Sequence, residues 1–273
     1  MIVEPKVREF ICTTAHPQGC RENVREQIAY VKKQNITGGP KKVLVIGAST
    51  GYGLASRITA AFGCHAATLG IMFEKPSNGK RTATPGWYNT AAFEEEAAKE
   101  GLYAKSINGD AFSKEVKEQA ISMIRQDLGK VDMVIYSLAA PRRTDAQGKT
   151  WVSSLKTTDK PFTEKSLDLR TNTIVTKTVE PAGEGELEGT VKVMGGEDWM
   201  DWIDALKEAD VLEKDAVTVA YSYIGPELTY PIYYDGTIGQ AKRHLTKTAG
   251  EINEKYQDVK AYISVNKALV TQA

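Results

Sequence analysis

The sequence predicts an α/β protein built on a doubly wound parallel sheet. Its apolar residues alternate between the two-residue repeat of strands and the wider repeat of helices, which is typical of this class. Residues 43–46 (Val-Leu-Val-Ile) are continuously apolar, as expected of a parallel strand that is covered on both faces. Each strand-like run is followed by a stretch long enough to cross to a parallel neighbour. We therefore expect one sheet with helices on both faces.

The predicted elements follow one another along residues 1–273, which we interpret as a single domain. Residues 1–40 form an N-terminal extension with a helix over 21–34, in which Val24, Ile28 and Val31 share a face. Residues 142–195 are a polar, threonine-rich excursion for which we predict a small β-hairpin over about 173–193. The predicted strands are 43–46, 66–73, 103–107, 131–136, 216–223 and 259–265, and the predicted helices are 52–62, 90–100, 113–128, a segment with Trp199, Trp202 and Leu206 on one side, and 236–256.

Composition and charge exclude several classes of protein. Apolar residues make up 41% of the 273 residues, enough for a sizeable core. Lys and Arg number 35 and so do Asp and Glu, so the chain lacks the positive charge of a nucleic-acid-binding protein. The longest stretch without these charged residues, 58–73, is too short and too polar to span a bilayer. No signal peptide is visible, so we expect a cytoplasmic protein without a membrane segment.

The cysteines predict neither a disulfide framework nor a metal site. Cys12, Cys20 and Cys64 are few and odd in number, which fits a reducing compartment. Cys12, His16 and Cys20 lie four residues apart, but no fourth ligand is evident and Pro17 is expected to break a helix that would align them. We therefore expect ordinary thiols and no bound metal.

A glycine-rich turn follows the first strand and predicts a dinucleotide site. Gly47, Gly51 and Gly53 give the spacing G-x-x-x-G-x-G, in which backbone N–H groups and the start of a helix can bind a pyrophosphate. This spacing resembles the short-chain dehydrogenase/reductase branch of Rossmann-type folds, although a purely structural turn stays an alternative. Glu74 ends the second strand, where a carboxylate can accept the ribose hydroxyls and repel a 2′-phosphate. NADH is therefore favoured over NADPH, while Lys75, Lys80 and Arg81 could reverse that preference.

Tyrosines near the last long helix are candidates for a proton donor. Tyr233 and Lys242 are nine residues apart and would face opposite sides of one continuous helix, so Tyr233 is expected to precede the helix, with a break at Asp235-Gly236. A nearby ammonium would lower the pKa of the phenol and make it a better acid. The alternative is an aromatic core cluster of five tyrosines, Tyr221, Tyr223, Tyr230, Tyr233 and Tyr234.

Together these motifs resemble the bacterial single-chain trans-2-enoyl-CoA/enoyl-acyl-carrier-protein reductase family. The resemblance extends over the whole chain and includes FICTT at 10–14, GASTGYG at 47–53, NGDAF at 108–112, MGGEDW at 194–199 and the segment 221–236. The Tyr-x8-Lys spacing of that family falls on Tyr233 and Lys242. Family members continue beyond 270–273, so the resemblance implies a truncated chain that lacks the C-terminal substrate lid.

The resemblance implies a role for each matching position. Tyr233 would be the proton donor, Tyr223 would hold the thioester carbonyl, and Lys242 would bind the nicotinamide ribose. The remaining cofactor-binding residues would be Gly47, Ala48, Ser49, Thr50, Gly51 and Tyr52 at the pyrophosphate, Phe73 and Glu74 at the adenosine ribose, Asp110 and Ala111 at the adenine, and Leu138, Ala139, Leu269, Val270 and Thr271 toward the nicotinamide.

The implied activity is the NADH-dependent reduction of the trans-2 double bond of an enoyl thioester by a monomer. The thioester would be carried by coenzyme A or by acyl-carrier protein, and the sequence does not choose between them. Two alternatives stay open: a carbonyl-reducing short-chain dehydrogenase, and a fragment that binds NADH without turnover.

Overall fold

Strands and helices alternate along the chain. A computed structural model describes residues 2–8, 11–168 and 171–269. The strands are β1 (Val7–Arg8), β2 (Ile11–Cys12), β3 (Lys42–Ile46), β4 (Ala67–Met72), β5 (Ala104–Asn108), β6 (Val131–Tyr136), β7 (Arg142–Thr144), β8 (Thr150–Val152), β9 (Phe162–Asp168), β10 (Thr173–Val179), β11 (Leu212–Ser222) and β12 (Val259–Val265). The helices are α1 (Pro17–Lys32), α2 (Gly51–Ile58), α3 (Pro85–Lys99), α4 (Lys114–Met123), α5 (Glu186–Met194), α6 (Glu197–Glu208) and α7 (Thr237–Lys255), with a π-helical turn ending α2 (Thr59–Gly63) and another ending α4 (Ile124–Leu128).

The central sheet is parallel and has the strand order β12-β11-β6-β3-β4-β5. From β3 the chain moves outward to β4 and β5, then returns to β6 and moves outward on the other side to β11 and β12. The order therefore reverses between β3 and β6, and the predicted doubly wound parallel sheet is confirmed. Folds of this class bind their ligands in a crevice outside the carboxyl ends of the strands at such a reversal point.

Side chains on the two faces of β3 explain the two helical layers. Val43 and Val45 face one layer, where α2 packs on β3 and is itself covered by α1 and α3. Leu44 and Ile46 face the other layer, in a core that includes α4, α6 and α7. Trp199 is fully buried in that core. Every residue from Val43 to Ile46 is buried, which explains why this strand is continuously apolar rather than alternating.

Several predicted bounds were wrong. Helix α3 begins at Pro85 rather than near Thr90, and β11 begins at Leu212 rather than Ala216. The first helix begins at Pro17 rather than near Arg21, because proline is well placed at the first helical position, where its missing N–H leaves no bond unmade. His16 caps the helix by accepting a hydrogen bond from the Gly19 N–H at 3.1 Å.

The hairpin in the excursion lies earlier than predicted. The antiparallel pair is β9 with β10, Phe162–Val179 overall, and a shorter pair, β7 with β8, precedes it. The segment 186–194 is helix α5, which packs against α7 and β8. The β-branched residues Thr190, Val191 and Val193 have a local preference for a strand. Tertiary packing overrides this preference, and the segment is helical.

Within the described ranges, no helix combines the length and the apolar character that a bilayer crossing requires.

Candidate active site

The glycine-rich turn is shaped by close backbone contacts. Gly47 has φ of +84°, and a Cβ there would overlap the Ser137 carbonyl at the end of β6. A Cβ at Gly53 would overlap the Gly47 carbonyl, so the turn closes against the first turn of α2. Thr50 provides no side-chain cap, which leaves the first N–H groups of α2 available to an anion. The turn therefore fits a pyrophosphate, as the sequence predicts.

Glu74 lies directly beyond β4 and faces this turn. Its Oε1 accepts a hydrogen bond from Ser49 Oγ at 2.6 Å, and its Oε2 accepts one from Thr84 Oγ1. Asn108, at the end of β5, holds the Glu74 backbone with one hydrogen bond in each direction, at 2.7 and 3.0 Å. The neighbouring Phe73 side chain is 76% exposed. The structure thus brings Glu74 and the glycine-rich turn together at the crevice.

A buried ion pair supports the segment predicted to flank adenine. Lys117 Nζ contacts Asp198 Oδ1 at 2.6 Å and donates to the carbonyls of Ala111 and Phe112 at 3.2 and 3.1 Å. Tyr136 donates to the other oxygen of Asp198 at 3.0 Å. Sequence reasoning missed Lys117 and the role of Asp198. The one available signal was the motif at 194–199, which contains Asp198.

Three other predicted cofactor positions lie at strand ends. Asp110 follows β5 and its Oδ1 accepts the Phe112 N–H at 3.0 Å. Leu138 and Ala139 follow β6, the first half-buried and the second exposed. These residues share the carboxyl edge of the sheet with the glycine-rich turn.

Tyr223 and Tyr233 form an edge-to-face pair. Their ring centroids are 5.0 Å apart at an interplanar angle of 87°. Tyr233 lies in the turn before α7, which begins at Thr237 after Gly236, so the predicted helix break is confirmed. The other tyrosines lie elsewhere: Tyr221 contacts Ser56, and Tyr230 packs on Tyr234. The five tyrosines therefore do not form one aromatic core.

Lys242 is half-buried on α7 and has no carboxylate partner in the described part of the chain. Its Nζ donates to the Tyr221 carbonyl at 3.5 Å, and burial lowers the pKa of the ammonium to about 8. The Tyr221 ring packs edge-on against Tyr52 of the glycine-rich turn, with centroids 6.0 Å apart. Tyr221 thereby links Lys242 to the phosphate-binding end of the crevice.

The expectation that Lys242 lowers the pKa of Tyr233 was wrong. Burial raises the pKa of Tyr233, and the nearby Tyr223 raises it further. No hydrogen bond joins Tyr233 and Lys242 among the described residues. Desolvation thus dominates, because it disfavours the phenolate.

The segment after β12 is tied to the glycine-rich turn. Tyr52 donates from its hydroxyl to the Lys267 carbonyl at 2.7 Å, and Leu269 is 60% exposed. The two further positions predicted to contact nicotinamide, Val270 and Thr271, lie outside the described residues, as does Phe10 of the first family motif.

The cysteine and histidine positions that invited a metal interpretation have local roles. Cys12 Sγ donates to the Thr14 carbonyl at 3.3 Å, and Cys20 is buried in α1. Across the described ranges, no three His, Cys, Asp or Glu side chains are grouped as metal ligands.

Comparison with known proteins agrees with the geometry. Residues 2–79 match the family model described as the NAD(P)H binding domain of trans-2-enoyl-CoA reductase, and residues 81–273 match its catalytic region. A trans-2-enoyl-CoA reductase [NADH] of Ruminiclostridium cellulolyticum is 58% identical, and an enoyl-[acyl-carrier-protein] reductase [NADH] of Cytophaga hutchinsonii is 59% identical. Each alignment covers 100% of this chain and 70% of the relative.

A solved structure shares the whole fold. The Treponema denticola trans-2-enoyl-CoA reductase in complex with NAD superposes with a TM-score of 0.97 at 50% identity, over 100% of this chain and 70% of that one. Both family matches contribute strands to the one parallel sheet described above. The chain therefore belongs to the trans-2-enoyl-CoA reductase family.

Proposed function

We propose that this protein reduces the trans-2 double bond of an enoyl thioester with NADH. The observation that carries the proposal is the edge-to-face pair of Tyr223 and Tyr233. It follows the strand whose Tyr221 carbonyl accepts a hydrogen bond from Lys242, a half-buried ammonium with no carboxylate partner among the described residues. The relatives named trans-2-enoyl-CoA reductase [NADH] and enoyl-[acyl-carrier-protein] reductase [NADH] support both the reaction and the cofactor.

The cofactor would be held at the positions predicted from sequence. The pyrophosphate would be bound by the turn Gly47, Ala48, Ser49, Thr50, Gly51 and Tyr52. The adenosine ribose would be bound by Phe73 and Glu74, and the adenine would lie between Asp110 and Ala111. The nicotinamide half would contact Leu138, Ala139, Leu269, Val270 and Thr271. Lys242 would donate to the nicotinamide ribose hydroxyls, which would add acceptors to the single long hydrogen bond that the ammonium makes to the Tyr221 carbonyl among the described residues. The turn closed by Gly47 and Gly53 fits this assignment, since a Cβ at either position would overlap a backbone carbonyl and force the turn out of this shape.

Tyr233 would act at the thioester oxygen. NADH, when bound, supplies the hydride that the β-carbon of the enoyl group accepts. Negative charge then develops on the thioester oxygen, where the Tyr233 hydroxyl donates a hydrogen bond or proton and Tyr223 holds the carbonyl in place. Burial raises the pKa of Tyr233, so the protonated hydroxyl is a weaker acid than that of an exposed tyrosine and is suited to donate a hydrogen bond to the developing charge. Water supplies the proton that the α-carbon takes up, so that one hydride and one proton complete the saturated acyl thioester and the Tyr233 hydroxyl ends protonated, as it began.

The thioester carrier is coenzyme A or acyl-carrier protein, since both present the same reactive group. We further propose that residues 1–273 work as one reductase domain, with 1–40 as an extension and about 142–195 as an excursion, and that the domain works as a monomer, as the family resemblance implies. One continuous sheet across both family matches supports the single domain.

The test is NADH oxidation, followed at 340 nm, with crotonyl-CoA and separately with acetoacetyl-CoA. We expect turnover with the enoyl thioester; turnover with acetoacetyl-CoA alone would favour a carbonyl reductase. Tyr233→Phe should lower kcat by roughly 100-fold or more, the loss typical of one oxyanion donor, and leave NADH affinity unchanged. Tyr234→Phe is the matched control, because Tyr234 is 42% exposed and contacts Arg243 instead. NADH binding without any consumption of either thioester would identify a binding module.

A further inference from the structure

Two segments, the glycine-rich turn and the start of α3, converge on the Glu74 carboxylate. Ser49, from the glycine-rich turn, donates to Oε1 at 2.6 Å. Thr84, the residue before the first turn of α3, donates to Oε2 instead of capping its own helix. Each carboxylate oxygen therefore has one hydroxyl donor, and an ionised carboxylate keeps further acceptor positions for a ligand.

Helix α3 also limits where this carboxylate can lie. A Cβ at Gly86, in the first turn of α3, would overlap Glu74 Oε1 and would lie 2.7 Å from Ser49 Cβ. Gly86 is buried, so the carboxylate is packed directly on the start of the helix. Since glycine alone leaves this space, Gly86 and the two hydroxyls together define one position for the Glu74 side chain.

The charge of Glu74 is left without a cationic partner in the part of the chain that the structure describes, although Lys75, Lys80 and Arg81 lie in the same loop and are exposed. Hydroxyl groups hold the carboxylate without neutralising it. A fixed, unneutralised carboxylate attracts the two ribose hydroxyls of NADH and repels a 2′-phosphate. A mobile one could turn toward those cations and leave room for the phosphate of NADPH.

We propose that Ser49, Thr84 and Gly86 set the preference for NADH over NADPH by fixing the Glu74 carboxylate at the ribose position. The inference rests on the proposed function, in which Glu74 faces the adenosine ribose. Ser49, Thr84 and Gly86 act here as positioning residues, and they determine specificity through Glu74.

The experiment compares Thr84→Val with Thr82→Val in the full chain. Valine keeps the shape of threonine and removes only its hydroxyl. The Thr82 hydroxyl accepts from the Ala15 N–H at 3.0 Å, so Thr82→Val removes a hydrogen bond from the same loop without touching Glu74. Dissociation constants for NADH and NADPH are measured by the fluorescence of the bound nucleotides, with no thioester present.

We expect the ratio of the NADPH to the NADH dissociation constant to fall about tenfold in Thr84→Val, or about 1.4 kcal/mol, and to stay at the wild-type value in Thr82→Val. Gly86→Ala should lower the ratio in the same direction, and Ser49→Ala serves as the hydroxyl variant where Thr84→Val does not fold. General damage to the site would weaken both nucleotides alike and leave the ratio unchanged. An unchanged ratio in these variants, or a wild-type protein that binds NADPH as well as NADH, would overturn the inference. Failure of the wild type to bind NADH at all would instead contradict the proposed function.

Discussion

Replacement of Lys242 by methionine should stabilise the protein in the absence of cofactor. The Lys242 ammonium is half-buried, and its one hydrogen bond, to the Tyr221 carbonyl, is long at 3.5 Å. Within the described residues it has no ion pair. Methionine retains most of the apolar stem and removes the charge, so the variant should lose little packing and avoid the cost of desolvation.

The size of the effect follows from the pKa of Lys242. Burial lowers that pKa from 10.5 to about 8, a difference of 2.5 pH units. At about 1.4 kcal/mol for each unit, charged Lys242 destabilises the folded state by about 3 kcal/mol. For a chain of this size, about 3 kcal/mol corresponds to an increase in Tm of roughly 6 °C.

The effect should depend on pH in a defined direction. Below pH 8 the lysine is charged in both the folded and the unfolded state, so the full cost is present. Between about pH 8 and 10.5 the folded state is neutral while the unfolded state still binds the proton, so the stability of the wild type rises with pH. Above 10.5 the cost is gone, and the variant should have no advantage.

Urea unfolding at pH 7 and at pH 10, without cofactor, measures this directly. Lys247→Met is the matched control, because the Lys247 side chain is 75% exposed on the same helix and pairs with Glu251 at 2.9 Å. That variant should change the free energy of unfolding by less than about 0.5 kcal/mol at either pH. A Lys242→Met protein that is less stable than the wild type at pH 7, or equally shifted at both pH values, would refute the reasoning. Lys242→Met should also bind NADH more weakly than the wild type does.

Two further predictions concern Lys242 and Lys117. The affinity for NADH, measured by fluorescence from pH 6 to 10, should fall above about pH 8 as Lys242 loses its proton. Burial raises the pKa of Tyr233, so the loss of a proton from Tyr233 does not account for a fall that begins near pH 8. An affinity that does not change up to pH 10 would contradict the role of the ammonium. Lys117→Met should lower the free energy of unfolding by about 3 kcal/mol, because it leaves the Asp198 carboxylate, 2% exposed, without its partner. Urea unfolding at pH 7 tests this, and a loss below about 1 kcal/mol would show that the pair contributes little.

Much of the fold could be predicted from sequence because its elements are determined by local patterns. The strand at 259–265 has the predicted bounds, and the helix predicted over 113–128 is bounded by Ser113 and Gly129. The exclusion of Tyr233 from α7 followed from helical geometry, from the assumption that Tyr233 and Lys242 act at one site, and from the expected break at Asp235-Gly236. Where local propensity and tertiary packing disagreed, as at Thr190 in α5, the sequence pattern misled.

The interactions that complete the candidate site could not be predicted in the same way. Lys117 and Asp198 are 81 residues apart, and a single sequence contains no signal that pairs them. The hydroxyl of Thr84 reaches Glu74 only because the loop between β4 and α3 folds back over the strand end. The raised pKa of Tyr233 depends on burial, which the spacing of Tyr233 and Lys242 does not indicate.

Charge pairing distinguishes structural from functional groups in this chain. The buried Lys117 is paired with Asp198, and the buried Arg57 has acceptors in Thr68, Ser106 and the Lys105 carbonyl. Each of those cations has its hydrogen bonds met inside the protein, so folding alone accounts for it. Glu74, like Arg57, is held by uncharged partners, one hydroxyl at each carboxylate oxygen. Lys242 differs, because the described residues give its ammonium a single long hydrogen bond. An incompletely matched charge costs folding free energy, and a ligand that supplies the missing partners would offset that cost. The ribose hydroxyls of a dinucleotide would be such partners for Lys242.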